Sequence, residues 1–122
     1  MSWTLNGKGG MDNSPDWAFV EHTLIALKGR SGTLTLDVSD NVGDPEMLQL
    51  RTEAGYYLIM LGEIFEDEYN VRSYYDRKVV DQQIDILGDY WSTRQLIRDF
   101  DLVVRIFKEF FDTGNVTKSL LN

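Results

Sequence analysis

Two stretches of the chain repeat apolar residues at the three- and four-residue spacing of a helical face. The first stripe consists of Trp17, Val20, Leu24 and Leu27. Ser14 suits the cap of a helix, Pro15 fits its first turn and Gly29 is a common residue at a left-handed helix end. The pattern therefore predicts a helix from Ser14 to about Lys28.

The second stripe is wider and lies nearer the other end of the chain. Its members are Leu96, Ile97, Phe100, Val103, Val104, Phe107, Phe110 and Phe111. Charged residues occupy the opposite side, which is typical of a helix packed on a core. Ser92 or Thr93 can cap this helix, and Gly114 is expected to end it.

Between the two stripes the period changes from helical to alternating. In TLTLDVS, 33–39, leucine and valine alternate with polar residues, which predicts a half-buried strand. DNVGDP, 40–45, has the composition of a turn, and MLQLR, 47–51, resumes the alternation. The two alternating segments are expected to form an antiparallel hairpin.

Four further segments are predicted to be strands. YYLIMLGEI, 56–64, is apolar on both faces, which predicts a central strand with a helix on one side. VRSYY, 71–75, is rich in strand-forming residues, VVDQQIDIL, 79–87, fits a final strand, and WTL, 3–5, fits a short first one. The predicted fold is α+β: an antiparallel sheet of four to five strands in a meander, with an N-terminal and a long C-terminal helix packed on one face.

The length of 122 residues predicts a single domain over 1–122. No cysteine is present, which excludes disulfides and thiolate metal sites and suits a reducing compartment. The first residues lack the parts of a secretory leader, and the apolar run at 56–61 is far shorter than the roughly 20 residues of a spanning helix. We therefore expect a soluble, cytoplasmic protein.

The net charge of −8 indicates which kinds of molecule this protein can bind. It disfavours nucleic acid and anionic membrane surfaces, and it favours basic proteins. A high charge also keeps a protein in solution, so it does not establish binding by itself.

The glycine-rich segment LNGKGG, 5–10, has some features of a phosphate cradle, but its spacing is wrong. A phosphate loop needs a lysine followed directly by Ser or Thr at the helix start, whereas Lys8 precedes Gly9 and Gly10. We predict a glycine-rich turn that leads from a short strand to the first helix.

The sequence offers little for catalysis or metal binding. His22 falls on the polar side of the first helix, and no cysteine is present for it to activate. Residues 40–44 lack the ligand spacing of a calcium loop, and Glu66, Asp67 and Glu68 are consecutive, so their side chains diverge. We predict no catalytic residue, no metal site and no cofactor. The alternative is a small carboxylate-dependent hydrolase or carbohydrate-active enzyme.

Acidic residues are concentrated in the second half of the chain. Between 63 and 101 there are ten: Glu63, Glu66, Asp67, Glu68, Asp76, Asp81, Asp85, Asp89, Asp99 and Asp101. Five basic residues share that stretch: Arg72, Arg77, Lys78, Arg94 and Arg98. Aromatic residues of the kind that anchor interfaces are interleaved with them, namely Tyr69, Tyr74, Tyr75, Tyr90 and Trp91.

This stretch predicts a surface for a basic protein partner. The predicted partner-binding residues are Glu66, Asp67, Glu68, Tyr69, Asp76, Asp81 and Asp85. An equally ordinary interpretation is a solvated rim with the aromatic side chains inside, in which Trp91 packs against the last helix.

Several segments, taken in order, resemble a family of small bacterial proteins. They are WTL at 3–5, the glycine pair at 9–10, N-x-P-x-W at 13–17, LTLD at 34–37, GDYW at 88–91 and DFDLVVRIFKEFFDTGNV at 99–116. This order is similar to immunity proteins found beside polymorphic toxins in contact-dependent growth inhibition systems. The resemblance implies a cytoplasmic α+β protein, monomer or homodimer, that binds one cognate toxin domain, often a basic nuclease, and blocks its active site or substrate path.

The leading hypothesis is thus a non-enzymatic immunity protein that binds and neutralises a basic toxin domain through an acidic, aromatic-bearing surface. A structural self-association module is a third class. Light scattering would distinguish self-association, and a melting temperature raised by calcium or manganese would favour the enzyme.

Overall fold

The computed structural model describes residues 1–37, 47–65 and 68–121, with the backbone alone for 63–65 and 68–69. The described strands are β1 (Ser2–Leu5), β2 (Lys8–Met11), β3 (Gly32–Asp37), β4 (Met47–Glu53), β5 (Tyr56–Phe65), β6 (Glu68–Ser73), β7 (Gln83–Ile86), β8 (Asp89–Ser92) and β9 (Leu96–Ile97). The described helices are α1 (Trp17–Leu27) and α2 (Phe100–Thr113), with a 3₁₀ turn at Thr93–Gln95. The α+β class is confirmed, and the sheet has more strands than predicted.

Seven of these strands form one antiparallel sheet in the order β2-β1-β3-β4-β5-β6, and β9 pairs with β5. The predicted hairpin is confirmed, since β3 and β4 pair from Gly32 opposite Thr52 to Asp37 opposite Met47. The predicted turn at 40–45 lies outside the described residues. Antiparallel pairing of β4 with β5 and of β5 with β6 continues the meander.

Both helices pack on one face of the sheet, as the sequence predicts. Leu34, Leu50 and Ile59 are register neighbours on that face. They share one buried cluster with Leu24 of α1, Phe107 of α2 and other leucine, isoleucine, valine and aromatic residues. The alternation in β3 and β4 therefore selects the buried face.

The opposite face of β5 is covered by a separate two-stranded sheet of β7 and β8. Leu58 on that face is fully buried against Ile86 and Leu96, and Trp91 packs at the margin of this small core. The expectation that 79–87 completes the meander is therefore wrong, and so is the placement of Trp91 against the last helix. A cover on each face explains why the central strand is apolar on both sides.

Both predicted helix starts are too early, by two residues for α1 and by six or seven for α2. The cap of α1 is Asp16, whose carboxylate accepts the N–H of Phe19 at 2.9 Å, whereas the N–H of Ser14 itself donates to Asp12. Proline is thus one residue ahead of the cap. The helix ends before Lys28, and Gly29 takes a left-handed φ of 71°.

The cap of α2 is Asp99, because the preceding apolar pair Leu96–Ile97 is used by β9. Ser92 caps the 3₁₀ turn instead of the helix. The predicted end at Gly114 is confirmed by its left-handed φ of 77° and its N–H bond to Phe110. Neither described helix is long and apolar enough to cross a membrane.

Among the described turns, three close hairpins with two residues that both have positive φ, as type I′ turns require. These turns are Asn6–Gly7, Ala54–Gly55 and Leu87–Gly88. The predicted turn at Gly9–Gly10 is wrong, because both residues belong to β2. Gly10 is required there by packing: a Cβ would lie 2.3 Å from the indole of Trp3 on the neighbouring strand.

The segment after α2 is fastened to the sheet by a buried arginine. Arg72 of β6 is only 8% exposed. Its guanidinium donates to the carbonyl of Val116 at 2.7 Å, to the carbonyl of Leu121 at 2.9 and 3.1 Å, and to the Asn115 side chain at 3.0 Å. The buried side chains of Val116 and Leu121 thereby join the helix-covered core.

Candidate partner-binding surface

Residues 75–95 form a small lobe on the face of the sheet opposite the helices, and we call it the hairpin lobe. Tyr74 at its base packs against the helix-covered core. The loop before β7 is bonded to the 3₁₀ turn after β8. The N–H of Asp76 donates to the Arg94 carbonyl at 2.8 Å, and the Arg94 guanidinium donates to the Val79 carbonyl at 3.0 Å. The N–H of Thr93 donates to the Gln82 carbonyl at 2.8 Å. These hydrogen bonds hold the loop before β7 against the 3₁₀ turn that follows β8.

The lobe is attached to the sheet by its small core and by two polar contacts near one end of β4. Asp89 forms an ion pair with Arg51 at 3.3 Å. At the hairpin tip, the N–H of Leu87 donates to the carboxylate of Glu53 at 2.6 Å. The tip is therefore held beside the end of the sheet where β4 turns into β5.

The lobe carries most of the exposed large apolar side chains of the described residues. Among the described residues eight large hydrophobic side chains are exposed, and five of them lie on the lobe: Tyr75, Val79, Val80, Leu87 and Tyr90. Val80 is 73% and Tyr90 71% exposed. Single exposed apolar residues are ordinary, whereas a concentration on one element is typical of an interaction site.

The tip of the hairpin carries a backbone conformation that its residue disfavours. Leu87 has φ of 54°, followed by Gly88 at 93°. Asparagine, aspartate or glycine is the usual residue at this first turn position, and a leucine there costs on the order of 1 kcal/mol. Leu87 is 38% exposed, so part of its side chain is open to a partner.

Asp85 and Tyr90 form an outward pair beside the tip. They are directly opposite in register, one position beyond the residues that flank the two-residue turn. This is a position where cross-strand side chains approach closely. Both are exposed, while Ile84 and Ile86 on alternate positions face the small core. A carboxylate beside an aromatic ring is a suitable site for a lysine or arginine side chain.

The other predicted carboxylates of the lobe are bonded locally. Asp76 accepts the N–H of Lys78 at 2.9 Å, and Asp81 accepts the Ser92 hydroxyl at 2.6 Å. One oxygen of Asp85 accepts the N–H of Gly88 at 2.8 Å. Within the described part of the chain, none of Asp76, Asp81 and Asp85 forms an ion pair. Asp81 nevertheless lies close enough to Arg94 for its charge to help raise the pKa of that arginine.

The charge of the lobe as a whole is nearly balanced. Its carboxylates are Asp76, Asp81, Asp85 and Asp89, and its cations are Arg77, Lys78 and Arg94, which leaves a net charge of −1. The lobe is thus better described as apolar with separate carboxylates than as a strongly acidic patch.

Two ionisable groups at the base of the lobe have shifted pKa values. Burial, and secondarily the charge of Asp76, raise the pKa of Tyr74 above its usual value. The hydrogen bond from Arg94 to the hydroxyl of Tyr75, at 3.4 Å, raises the pKa of Arg94, which stays cationic.

The structure brings some of the predicted partner-binding residues together and separates others. Asp76, Asp81 and Asp85 lie on the lobe, and Glu66 and Asp67 lie outside the described residues. Glu68 and Tyr69 begin β6, paired with the end of β5. The six residues of β6 span roughly 17 Å, and the hairpin tip lies by Glu53, towards the other end of the sheet. Partner binding by these seven residues stays a prediction.

Sequence reasoning missed the apolar part of this surface. Val79, Val80 and Leu87 were expected to belong to one strand of the main sheet. The available signal was the dipeptide Leu87–Gly88 between two strand-like runs, which a hairpin turn explains. Because Leu is not a typical residue of that turn, the signal was weak.

The other chemical possibilities gain no site among the described residues. No group of three or more His, Cys, Asp or Glu side chains there is placed to hold a metal ion. Lys8 lies on β2 and is exposed, so LNGKGG forms a hairpin and not a cradle ahead of a helix. His22 is exposed on α1.

Comparison with known proteins places the fold and the family. The chain is similar to the crystal structure of a hypothetical protein from Neisseria gonorrhoeae, with a TM-score of 0.75, 18% identity, and coverage of 95% of this chain and 89% of that chain. At this identity the likeness concerns the fold alone. No curated protein matches the chain. Residues 2–120 match DUF6911, a family of unknown function, and the chain therefore belongs to that family.

Proposed function

We propose that this chain is a non-enzymatic immunity protein of the bacterial cytoplasm, which binds and neutralises one basic toxin domain, such as a nuclease. It acts as a monomer or homodimer. The observation that carries the proposal is the outward side of the hairpin lobe, where exposed aromatic and aliphatic side chains stand beside carboxylates without ion-pair partners in the described chain.

The charge of the chain supports fast association with a basic partner. A nuclease domain needs a positive cleft for phosphate, and a net charge of −8 steers such a domain towards this protein. Steering acts mainly on the association rate and weakens with added salt. An inhibitor that occupies the cleft then excludes the nucleic acid.

The apolar side chains of the lobe supply the slow dissociation that an inhibitor needs. Tyrosine is frequent among residues that dominate binding energy, and such anchors act mainly on the dissociation rate. Tyr90 is well placed for this role, because most of its ring is exposed on a strand held by the small core. Asp85 opposite it binds a lysine or arginine of the toxin domain.

The left-handed leucine at the tip strengthens this interpretation. An exposed leucine at this turn position offers an apolar side chain to a partner. The disfavoured backbone alone does not mark a binding residue, because Ala54 has the same conformation in another turn. Leu87 fits the role of an apolar contact presented by the hairpin tip.

The proposal is tested with any basic toxin domain found in the genes that flank the one for this chain, by calorimetry and by inhibition of that domain's activity. Leu87→Asn improves the turn and removes the apolar contact, so it is expected to keep or raise the melting temperature while weakening binding at least tenfold. Ala54→Asn is the matched control, because Ala54 occupies the same position of another I′ turn. It should improve stability similarly and, because this turn lies beside the tip without presenting a large apolar side chain, weaken binding much less than Leu87→Asn does.

Charge variants locate the electrostatic contribution. Asp85→Asn should slow association, because it removes a charge. Tyr90→Ala should speed dissociation, because it removes an aromatic anchor. Reversing the charges of Glu66, Asp67 and Glu68 together tests the other predicted acidic residues. If no neighbouring basic domain binds, or if both sets of variants bind like the parent protein over a range of salt concentrations, the immunity proposal is wrong.

A further inference from the structure

We propose that a pocket between β1 and α1 binds a small, neutral aromatic molecule of one or two rings. The pocket measures about 230 Å³ and lies on the helix-covered side of the sheet, so it is separate from the hairpin lobe. Trp3, Phe19, Ala26 and Leu27 are among its lining residues, and His22 also lines it and is exposed. The inference goes beyond the proposed immunity function.

The aromatic wall of the pocket is fixed by packing. The rings of Trp3 and Phe19 meet edge to face, with centroids 5.4 Å apart and planes at 63°. The indole of Trp3 also lies across Gly10, where a Cβ would be 2.3 Å from the ring. The indole can therefore pack over this position only because the residue is glycine. The aromatic wall of the pocket is thus already formed without a ligand.

Apart from the exposed His22, the remaining lining residues carry no ionisable group and few free hydrogen-bonding groups. Leu27 is fully buried and Ala26 leaves space, since it has only a methyl group. The hydroxyl of Thr23 donates to the carbonyl of Phe19 at 2.9 Å within the helix. Water inside such a pocket finds few polar partners, so its replacement by an apolar ring is favourable.

The size of the pocket limits the ligand. An engineered apolar cavity of about 150 Å³ in another protein is large enough for benzene. A pocket of about 230 Å³ therefore admits a single ring with a substituent or a fused pair such as indole, and it is too small for a drug-sized molecule. The edge and the face presented by Phe19 and Trp3 suit a planar ring.

The test uses indole as the probe and two-dimensional NMR of the whole chain. We expect saturable shifts of the Trp3 indole N–H and of the amides of His22 and Ala26, with the other two tryptophan indoles unchanged. The Trp3 signal is assigned from Trp3→Phe.

Ala26→Met fills the pocket, and Ala18→Met makes the same change at an exposed position of α1. Indole affinity should fall at least tenfold in Ala26→Met and less than twofold in Ala18→Met. If the filled variant unfolds, Ala26→Val serves, with a smaller loss of the same sign. Absence of saturable shifts, or equal affinity in the filled and control variants, overturns the proposal.

Discussion

Replacing Arg72 by methionine is expected to detach the C-terminal segment from the sheet. Methionine keeps an apolar chain in the place of the arginine stem but lacks the guanidinium that holds the segment. The guanidinium donates to the carbonyls of Val116 and Leu121, and its residue is 8% exposed. Each buried carbonyl that loses its donor costs about 1–3 kcal/mol. Two such carbonyls give a loss of about 4 kcal/mol in the free energy of unfolding, the middle of the range.

The assay is urea unfolding combined with hydrogen exchange. For a chain of this size a loss of about 4 kcal/mol lowers the melting temperature by roughly 10–16 °C. Amides of the segment 115–121 should lose protection before those of the central strands. The matched control is Arg105→Met on the exposed side of α2, which should change stability by less than about 0.5 kcal/mol. A loss below about 1 kcal/mol for Arg72→Met, or one equal to the control, refutes the reasoning.

Three further predictions concern local packing, a helix cap and alkaline pH. Gly10→Ala should cost about 1–3 kcal/mol in urea unfolding because its Cβ meets the β1 indole, whereas Gly9→Ala, whose nearest neighbour lies at 3.5 Å, should be nearly neutral. Asp16→Ala should cost about 1 kcal/mol and Ser14→Ala much less, and the reverse order would contradict the observed cap. Because the folded-state pKa of Tyr74 is raised above its usual value of 10.0, its contribution to stability is present below pH 10 and is lost as pH rises through the folded pKa. Tyr74→Phe should therefore resist alkaline unfolding better than the parent, and equal pH profiles would contradict this.

The sequence predicts the helix-covered half of the molecule because local patterns and tertiary contacts agree there. Alternation in 33–37 and 47–51 selects the face of the sheet that the helices cover. The stripe on α1 is buried as expected. These elements can be predicted without knowing which segments they contact, because the period of the apolar residues indicates both the type of element and its buried face.

The second face is poorly predicted because distant pairing decides it. Leu96 and Ile97 fit the spacing of the helical stripe, yet they form strand β9. In that strand they pair with Leu58 and Tyr57 of β5. The pair Gly9–Gly10 is typical of a turn by composition. Glycine can equally adopt an extended strand conformation, and Gly10 does so where the indole of Trp3 leaves no room for a side chain.

The candidate surface depends on the same non-local information. The hairpin lobe exists because β7 pairs with β8 and packs on the back of β5, and neither contact follows from the periodicity of 79–87. Charge density along the chain identified Asp76, Asp81 and Asp85. It did not identify Val80 or Leu87, whose exposure depends on the tertiary position of the lobe.

Hydrogen exchange of the complex with the neighbouring basic domain tests the central claim most directly. The amides to compare are those of the described chain, free and bound. The account predicts new protection at residues 75–90, strongest at Leu87 and Tyr90, with little change on α1 and α2. Protection confined to the helices, with the hairpin exchanging as in the free protein, would contradict it.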